Sequence, residues 1–219
     1  MAVVMYDLDG TLLDTASEIA DAVNQTLAEF GHESVSEEQV RDWIGHGTGW
    51  LMKTAWQNTP GPLDAPWDKV MERFIVHYEA TAGTRSSAFP HVLDTLKRAR
   101  EYGVRQALVT NKESRFTERV LAKHGLQDAF DIVICGDSLP VKKPNPQVIT
   151  HCLTQLGATA SEALFVGDSE IDVSTAKAAG VIVWAVPYGY NLGKPIEDSH
   201  PDRIVPDIRE VPNFFRHMQ

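Results

Sequence analysis

A chain of 219 residues, 43% hydrophobic and 23% charged, has enough sequence to bury one sizeable core or two modest ones, and its composition is neither disordered nor fibrous. A formal charge of -10 argues against a nucleic-acid partner, which would need clustered Lys and Arg. The apolar run before Asp7 is too short for a signal peptide or membrane span and no later run is long enough, while Cys135 and Cys152 lack metal-ligand spacing and fit a reducing compartment, so a cytoplasmic protein without a membrane partner is expected.

Residues 2 to 6 are apolar and include adjacent valines, as in a short strand buried on both faces. Asp7 and Asp9 follow at once and are stopped by Gly10, so the strand delivers two carboxylates into a tight turn. From this stretch alone, a catalytic pair and two ordinary turn acids are both open readings. After Asp14, Ile19, Val23, Leu27 and Phe30 make one apolar stripe ending at Gly31. Ser36, with Gln39 three residues on, caps a second helix that should close near Gly45. A third helix is expected over 50 to 57, broken by Thr59-Pro60-Gly61-Pro62, and a fourth over 65 to 81 with Val70, Phe74 and Tyr78 in register. Residues 15 to 82 therefore read as an all-helical module, and Gly83 to Ser87 as a linker.

From Phe89 onward helices alternate with short strands rich in Val, Ile and Ala, the signature of a parallel sheet. Helices are expected at 91–102, 114–124, 145–156 and 170–179, and strands at 104–109, 131–134, 163–167 and 181–186. Arg203 to Val205 suits an edge strand and Ile208 to Met218 a short last helix. The first strand has no partner within the helical module, so it should join this later sheet, making the helical block an insertion. The fold class is α/β.

Three of these strands end in chemical groups: Asp7, Thr110 and Asp168. In open parallel sheets ligands bind beyond the carboxyl ends of the strands, so the three should converge on one crevice. Lys142-Lys143, held by prolines before a helix, could supply a cation there, and Asp172 lies one helical turn after Asp168. Carboxylates about 4 Å apart repel by about 4 kcal/mol at an effective dielectric near 20. Gathering Asp7, Asp9, Asp168 and Asp172 therefore demands a cation, and the hard oxygen ligands favour Mg²⁺ over zinc. A phosphate could then be held between the metal, a lysine and the Thr110 hydroxyl.

Asp7-Leu8-Asp9-Gly10-Thr11, Thr110-Asn111, Lys143-Pro144 and Gly167-Asp168-Ser169 with Asp172 resemble, in order, the four motifs of haloacid dehalogenase-type phosphatases. The likeness runs over nearly the whole chain. It extends toward the phosphoglycolate phosphatase branch through Cys135-Gly136-Asp137-Ser138-Leu139-Pro140 and Pro187-Tyr188-Gly189-Tyr190-Asn191. The resemblance implies a Rossmann-like core from residues 1–14 and 85–219 with a mobile helical cap inserted at 15–84. It further implies Asp7 as a nucleophile forming an aspartyl-phosphate and Asp9 as the acid and base that serves the leaving group and water. Thr110, Asn111 and Lys143 would bind the phosphoryl group. Mg²⁺ would be held by the Asp7 side chain, the Asp9 main-chain carbonyl and Asp168, with Asp172 and Ser169 supporting from behind. The substrate implied is a small phosphorylated metabolite, 2-phosphoglycolate foremost.

Gly45-His46-Gly47-Thr48-Gly49 follows a helix and not a strand, so a dinucleotide fingerprint fails and a helix-joining turn fits better. Its place in the implied cap makes Gly45, His46 and Gly47 a candidate substrate loop, where His46 or Lys53 could meet a carboxylate. His32, His77, His91, His124, His151, His200 and His217 form no ligand set and read as surface or interface residues. Trp43, Trp50, Trp56 and Trp67 read as packing of the helical module, Cys135 as a buried strand residue and Lys142 as solvated. Two rivals stand beside the phosphatase: a sugar phosphomutase of the same family, and a phosphate-responsive binding protein without turnover. The pattern is compatible with a monomer or a homodimer.

Overall fold

The computed structural model describes residues 2–217; Met218, the expected end of the last helix, and the His217 side chain lie outside the described residues. The chain runs β1 (Val3–Tyr6), β2 (Leu13–Asp14), α1 (Ala16–Glu29), α2 (Glu37–Arg41), α3 (Thr48–Asn58), α4 (Trp67–Thr81) and β3 (Ser87–Ala88). It continues through α5 (Val92–Glu101), β4 (Arg105–Val109), α6 (Ser114–His124), β5 (Ile132–Ile134), α7 (Gln147–Leu156), β6 (Ala163–Gly167), α8 (Glu170–Ala178), β7 (Ile182–Ala185) and β8 (Arg203–Ile204). Single-turn 3₁₀ segments interrupt the later connections, and the chain closes in 3₁₀ turns over Ile208–His217, which contain Pro212 and so replace the expected α-helix.

β1 sits third in a parallel sheet of order β5-β4-β1-β6-β7-β8, with Tyr6 opposite Leu108 on one side and Val166 on the other. Its position explains its composition. Val4 and Tyr6 enter the core that includes Leu96, Val120 and Phe215, while Val3 and Met5 enter the opposite core with Ile149, Cys152 and Val173. A strand covered on both faces cannot alternate polar and apolar residues, so the run stays apolar until it emerges at Asp7.

The helical block has a third core, in which Val23, Leu27, Val40, Met52, Val70 and Phe74 meet. Phe116 of α6 enters this core and stacks on Tyr78, ring centroids 4.2 Å apart. The chain crosses between block and sheet twice, and the two crossings are joined: β2 pairs antiparallel with β3, Leu13 opposite Ala88. The expected linker is thus partly strand. Its preceding turn is gripped by the fully buried Glu18, whose Oε2 accepts N–H hydrogen bonds from Gly83, Arg85 and Ser86 at 2.9, 3.3 and 3.0 Å.

Other sequence expectations shift in detail. The Ser36/Gln39 capping box forms, yet α2 stops at Arg41, because the chain then turns through Gly45 and Gly47, both at positive φ of 133° and 89°. His32 is a correction: it is buried at 7% exposure, between Thr59 Oγ1 and the Pro62 carbonyl and against Trp56, because its ring nitrogens satisfy a turn inside the block. Trp56 alone of the four tryptophans is fully packed; Trp50 and Trp67 remain 41% and 38% exposed. Among the described residues no helix is long and apolar enough to cross a membrane.

Candidate functional site

Asp7 is the first residue past β1, and its N–H still bonds the Val166 carbonyl, so the sheet fixes its backbone. Its Oδ1 accepts from the Leu8 N–H at 2.7 Å and lies 2.8 Å from Lys143 Nζ, which leaves Oδ2 as the oxygen with no hydrogen-bond partner among the described residues. Lys143 Nζ also lies 2.7 Å from Asp172 Oδ1. Asp172 caps the approach to α8: its Oδ2 accepts from the N–H groups of Asp168 and Ser169 and from Ser169 Oγ. Every oxygen of Asp172 is thus engaged by protein.

Asp168 follows β6, with Oδ1 receiving the Thr11 hydroxyl at 2.7 Å and Oδ2 the Tyr190 N–H at 2.8 Å. Gly10 makes this possible, since its φ of 85° turns the chain and a Cβ there would overlap the Asp168 carboxylate. Burial raises the Asp7 carboxyl well above the usual range; Lys143 opposes this in part, and the neighbouring Asp172 and Asp168 add to the rise. Burial, and then Asp172, pushes Asp168 up to about 7. Lys143 is held protonated by Asp172 and Asp7 despite its burial. Two carboxyls that resist ionising beside one another define a place for a cation.

Carboxylate oxygens of Asp7, Asp168 and Asp172 lie within 4.8 Å of one another. Because Asp172 is fully committed, the carboxylates with lone pairs to spare are Asp7 and Asp168. This all-oxygen set fits a hard divalent ion that keeps several waters.

Above these groups is a cavity of about 40 Å³, space for about three waters. Asp7, Asp9, Thr110, Asn111, Asp168 and Ser169 line it from the sheet; Ile19, Ile44, Gly45, Gly47, Thr48, Leu51 and Tyr78 line it from the helical block. Asn111 lines the cavity, but its Nδ2 is spent on the carbonyls of Gly45 and Lys143, so only its main chain could serve an anion. His46 lies in the loop, yet its ring packs on Trp50 and is not part of the lining. Lys53 is exposed.

Three further residues complete the site: Lys112, which sequence reasoning missed, and Tyr190 and Lys142, which it named without these contacts. Lys112, 4% exposed, reaches Asp9 Oδ1 at 2.6 Å, where Thr15 Oγ1 also donates at 2.6 Å. Tyr190 ties Asp168 to the crossing chain, because its hydroxyl donates to Asp14 Oδ1 and accepts the Thr15 N–H. Lys142, expected to be solvated, is exposed but donates to the His46 carbonyl at 2.6 Å. Its place just past β4 sets Lys112 near the carboxyl end of the sheet, but nothing in the sequence says which way its side chain turns.

The profile of the haloacid dehalogenase-like hydrolases matches residues 4–186. A phosphoglycolate phosphatase of Aliivibrio fischeri is 40% identical over 210 residues, 94% of this chain and 92% of that protein. One from Nitrosospira multiformis is 41% identical over 218 residues, 97% and 95% of the two chains. Among solved structures, a predicted phosphoglycolate phosphatase from Haemophilus somnus superposes with a TM-score of 0.94 at 29% identity, covering 99% of this chain and 98% of that one.

Proposed function

The chain belongs to the haloacid dehalogenase-like hydrolases, and from that premise we propose that it is a Mg²⁺-dependent phosphomonoesterase whose foremost substrate is 2-phosphoglycolate, cleaved to glycolate and phosphate. The observation that carries this reading is the convergence of Asp7 and Asp168 from two strand ends with Lys143 from the loop before α7, beside a small cavity that Asp9 also lines. Asp7 Oδ2 attacks phosphorus as the bond from phosphorus to the ester oxygen breaks, and the leaving oxygen takes a proton from the Asp9 carboxyl. The Asp9 carboxylate then takes a proton from water as that water attacks the aspartyl-phosphate, which frees phosphate and restores Asp7.

Lys143 holds Asp7 Oδ1 and so orients the attacking carboxylate, while the Thr110 hydroxyl faces the transferring group. Mg²⁺, which phosphatases of this family generally use, would be held by the Asp7 and Asp168 carboxylates and the Asp9 main-chain carbonyl, and would offset the charge that nucleophile and phosphate bring together. The helical block acts as a lid whose apolar side chains exclude water from the acyl-phosphate. Its small cavity favours short esters over nucleotides.

Phosphate release with Mg²⁺ from a panel of esters, without an added acceptor, tests the reading. We expect turnover of 2-phosphoglycolate that Asp7→Asn abolishes while the protein stays folded. Turnover retained by Asp7→Asn would refute the mechanism, and transfer only to an added sugar would make the protein a mutase.

A further inference from the structure

Lys112 is buried with 2% of its side chain exposed, and nothing in the chemistry above requires its charge. Its ammonium lies 2.6 Å from Asp9 Oδ1 and 5.3 Å from the centre of the Tyr78 ring, in the lining of a cavity to which Ile19, Ile44 and Leu51 also contribute. Burying an ammonium group against such walls is costly unless it is well paired. Orienting Asp9 does not call for it, because Thr15 Oγ1 already donates to the same oxygen at 2.6 Å. An ammonium has three donors; the Asp9 carboxylate and the Tyr78 hydroxyl take two of them, which leaves one.

Among the described residues lining the cavity, Lys112 is the only cation. Lys143 is fixed between Asp7 and Asp172, Lys142 is engaged by the His46 carbonyl, and His46 and Lys53 stand outside the lining. Thr110, two residues earlier and also in the lining, accepts the Lys112 backbone N–H on its Oγ1 at 3.2 Å. In so small a cavity, a second anionic group a few bonds from phosphorus has one cation to meet.

We propose that Lys112 selects phosphate esters of short hydroxy acids: its ammonium exchanges the Asp9 carboxylate for the carboxylate of the substrate's leaving group, which releases the Asp9 side chain toward the ester oxygen. The proposal rests on the phosphomonoesterase reading of the site and adds the residue that recognises its leaving group. Selectivity is thus supplied by the sheet domain, two residues from the phosphoryl-binding threonine, and not by the loop around His46.

The experiment measures kcat/KM of the full chain with Mg²⁺ for 2-phosphoglycolate and for 2-hydroxyethyl phosphate, which has a hydroxymethyl group in place of the carboxylate. The wild type should favour the acid by about 10- to 100-fold, as expected for one hydrogen-bonded charge pair. Lys112→Met should bring that ratio close to one, chiefly by raising KM for the acid, and Lys112→Arg should keep most of the preference. Equal losses on both esters in Lys112→Met would overturn the proposal by reducing Lys112 to a support for Asp9. A wild-type ratio near one would overturn it without any variant, which decides the matter if the methionine protein melts at room temperature. A wild type that hydrolyses neither ester would refute the phosphatase reading itself, and the proposal with it.

Discussion

Beneath the cavity, Asp7 and Asp168 from the carboxyl ends of β1 and β6 meet Lys143 from the loop between β5 and α7 and Asp172 from the first turn of α8, nearly every polar atom partnered. Above it, Ile19, Ile44, Leu51 and Tyr78 offer apolar surface from α1, α3 and α4 and the turn before α3. The floor stands on a parallel sheet; the roof has its own hydrophobic core, into which the sheet side sends Phe116 and Tyr190. Such a division lets the floor fix reaction geometry while the roof sets size, dryness and access.

If that division is real, the largest effect belongs to the floor. Lys143→Met leaves Asp7 and Asp172 facing each other, buried and without a cation. Breaking a buried pair in this way costs about 3–5 kcal/mol, so denaturant unfolding without metal should show a drop of that size, with turnover lost as well. Phe74→Ala in the roof should cost a comparable or slightly smaller 3–4 kcal/mol by opening a cavity in the helical core, where Phe74 is fully buried. Below its lowered melting point, however, kcat should change less than about tenfold, because Phe74 touches no reacting atom. A large kcat loss in folded Phe74→Ala would break the division.

A third effect exposes a cost built into the floor. The Asp168 carboxyl has an ordinary value of about 3.9 when unfolded, against about 7 in the fold. The native state therefore holds a proton that the unfolded chain has lost between those values. Stability from this group is complete below about pH 4 and disappears as pH rises through about 7; Asp7 acts in the same direction. The metal-free protein should accordingly melt lower at pH 7.5 than at pH 5.5, by about 1 kcal/mol or more, equivalent to about 2–4 °C for a chain of this size. Added Mg²⁺ should restore the loss, and do so more strongly at the higher pH, because the ion replaces the proton. A metal-free melting point that rises across this window would contradict the assigned electrostatics.

The same division explains what the sequence disclosed. Strand ends announce themselves, since an apolar run must stop where the chain leaves the sheet, and Asp7, Thr110 and Asp168 were visible for that reason. The alternation after Phe89 gave the parallel sheet, and the unpaired β1 gave the insertion. Long side chains that fold inward do not announce themselves. Lys142 read as solvated, and Lys112 and Glu18 drew no reading at all, because spacing carries no information on which way a flexible stem turns. His32 was misread for the same reason, as its partners Thr59 and Pro62 lie across a helical hairpin. The roof's contribution depends on how α1, α3 and α4 pack, which no local pattern encodes.

The smallest expected effect lies at the seam between the two regions. Thr48 Oγ1 donates to Glu113 Oε1, joining the first turn of α3 to the residue before α6, while Asn111 Nδ2 and Lys142 Nζ hold the carbonyls of Gly45 and His46 from the same side. All three contacts fasten one loop to the sheet domain, so losing one leaves the others in place. Thr48→Val keeps the volume and removes the hydroxyl, at a cost of about 1 kcal/mol in the closed arrangement alone. If the roof acts as a lid, that cost falls on closure and not on global unfolding: KM should rise about fivefold, the melting point should hardly move, and kcat should hold or increase where reopening limits turnover. Should the melting point fall while KM stays fixed, the Thr48 contact would belong to the folded core of the protein, and the seam would have to be sought at Asn111 and Lys142.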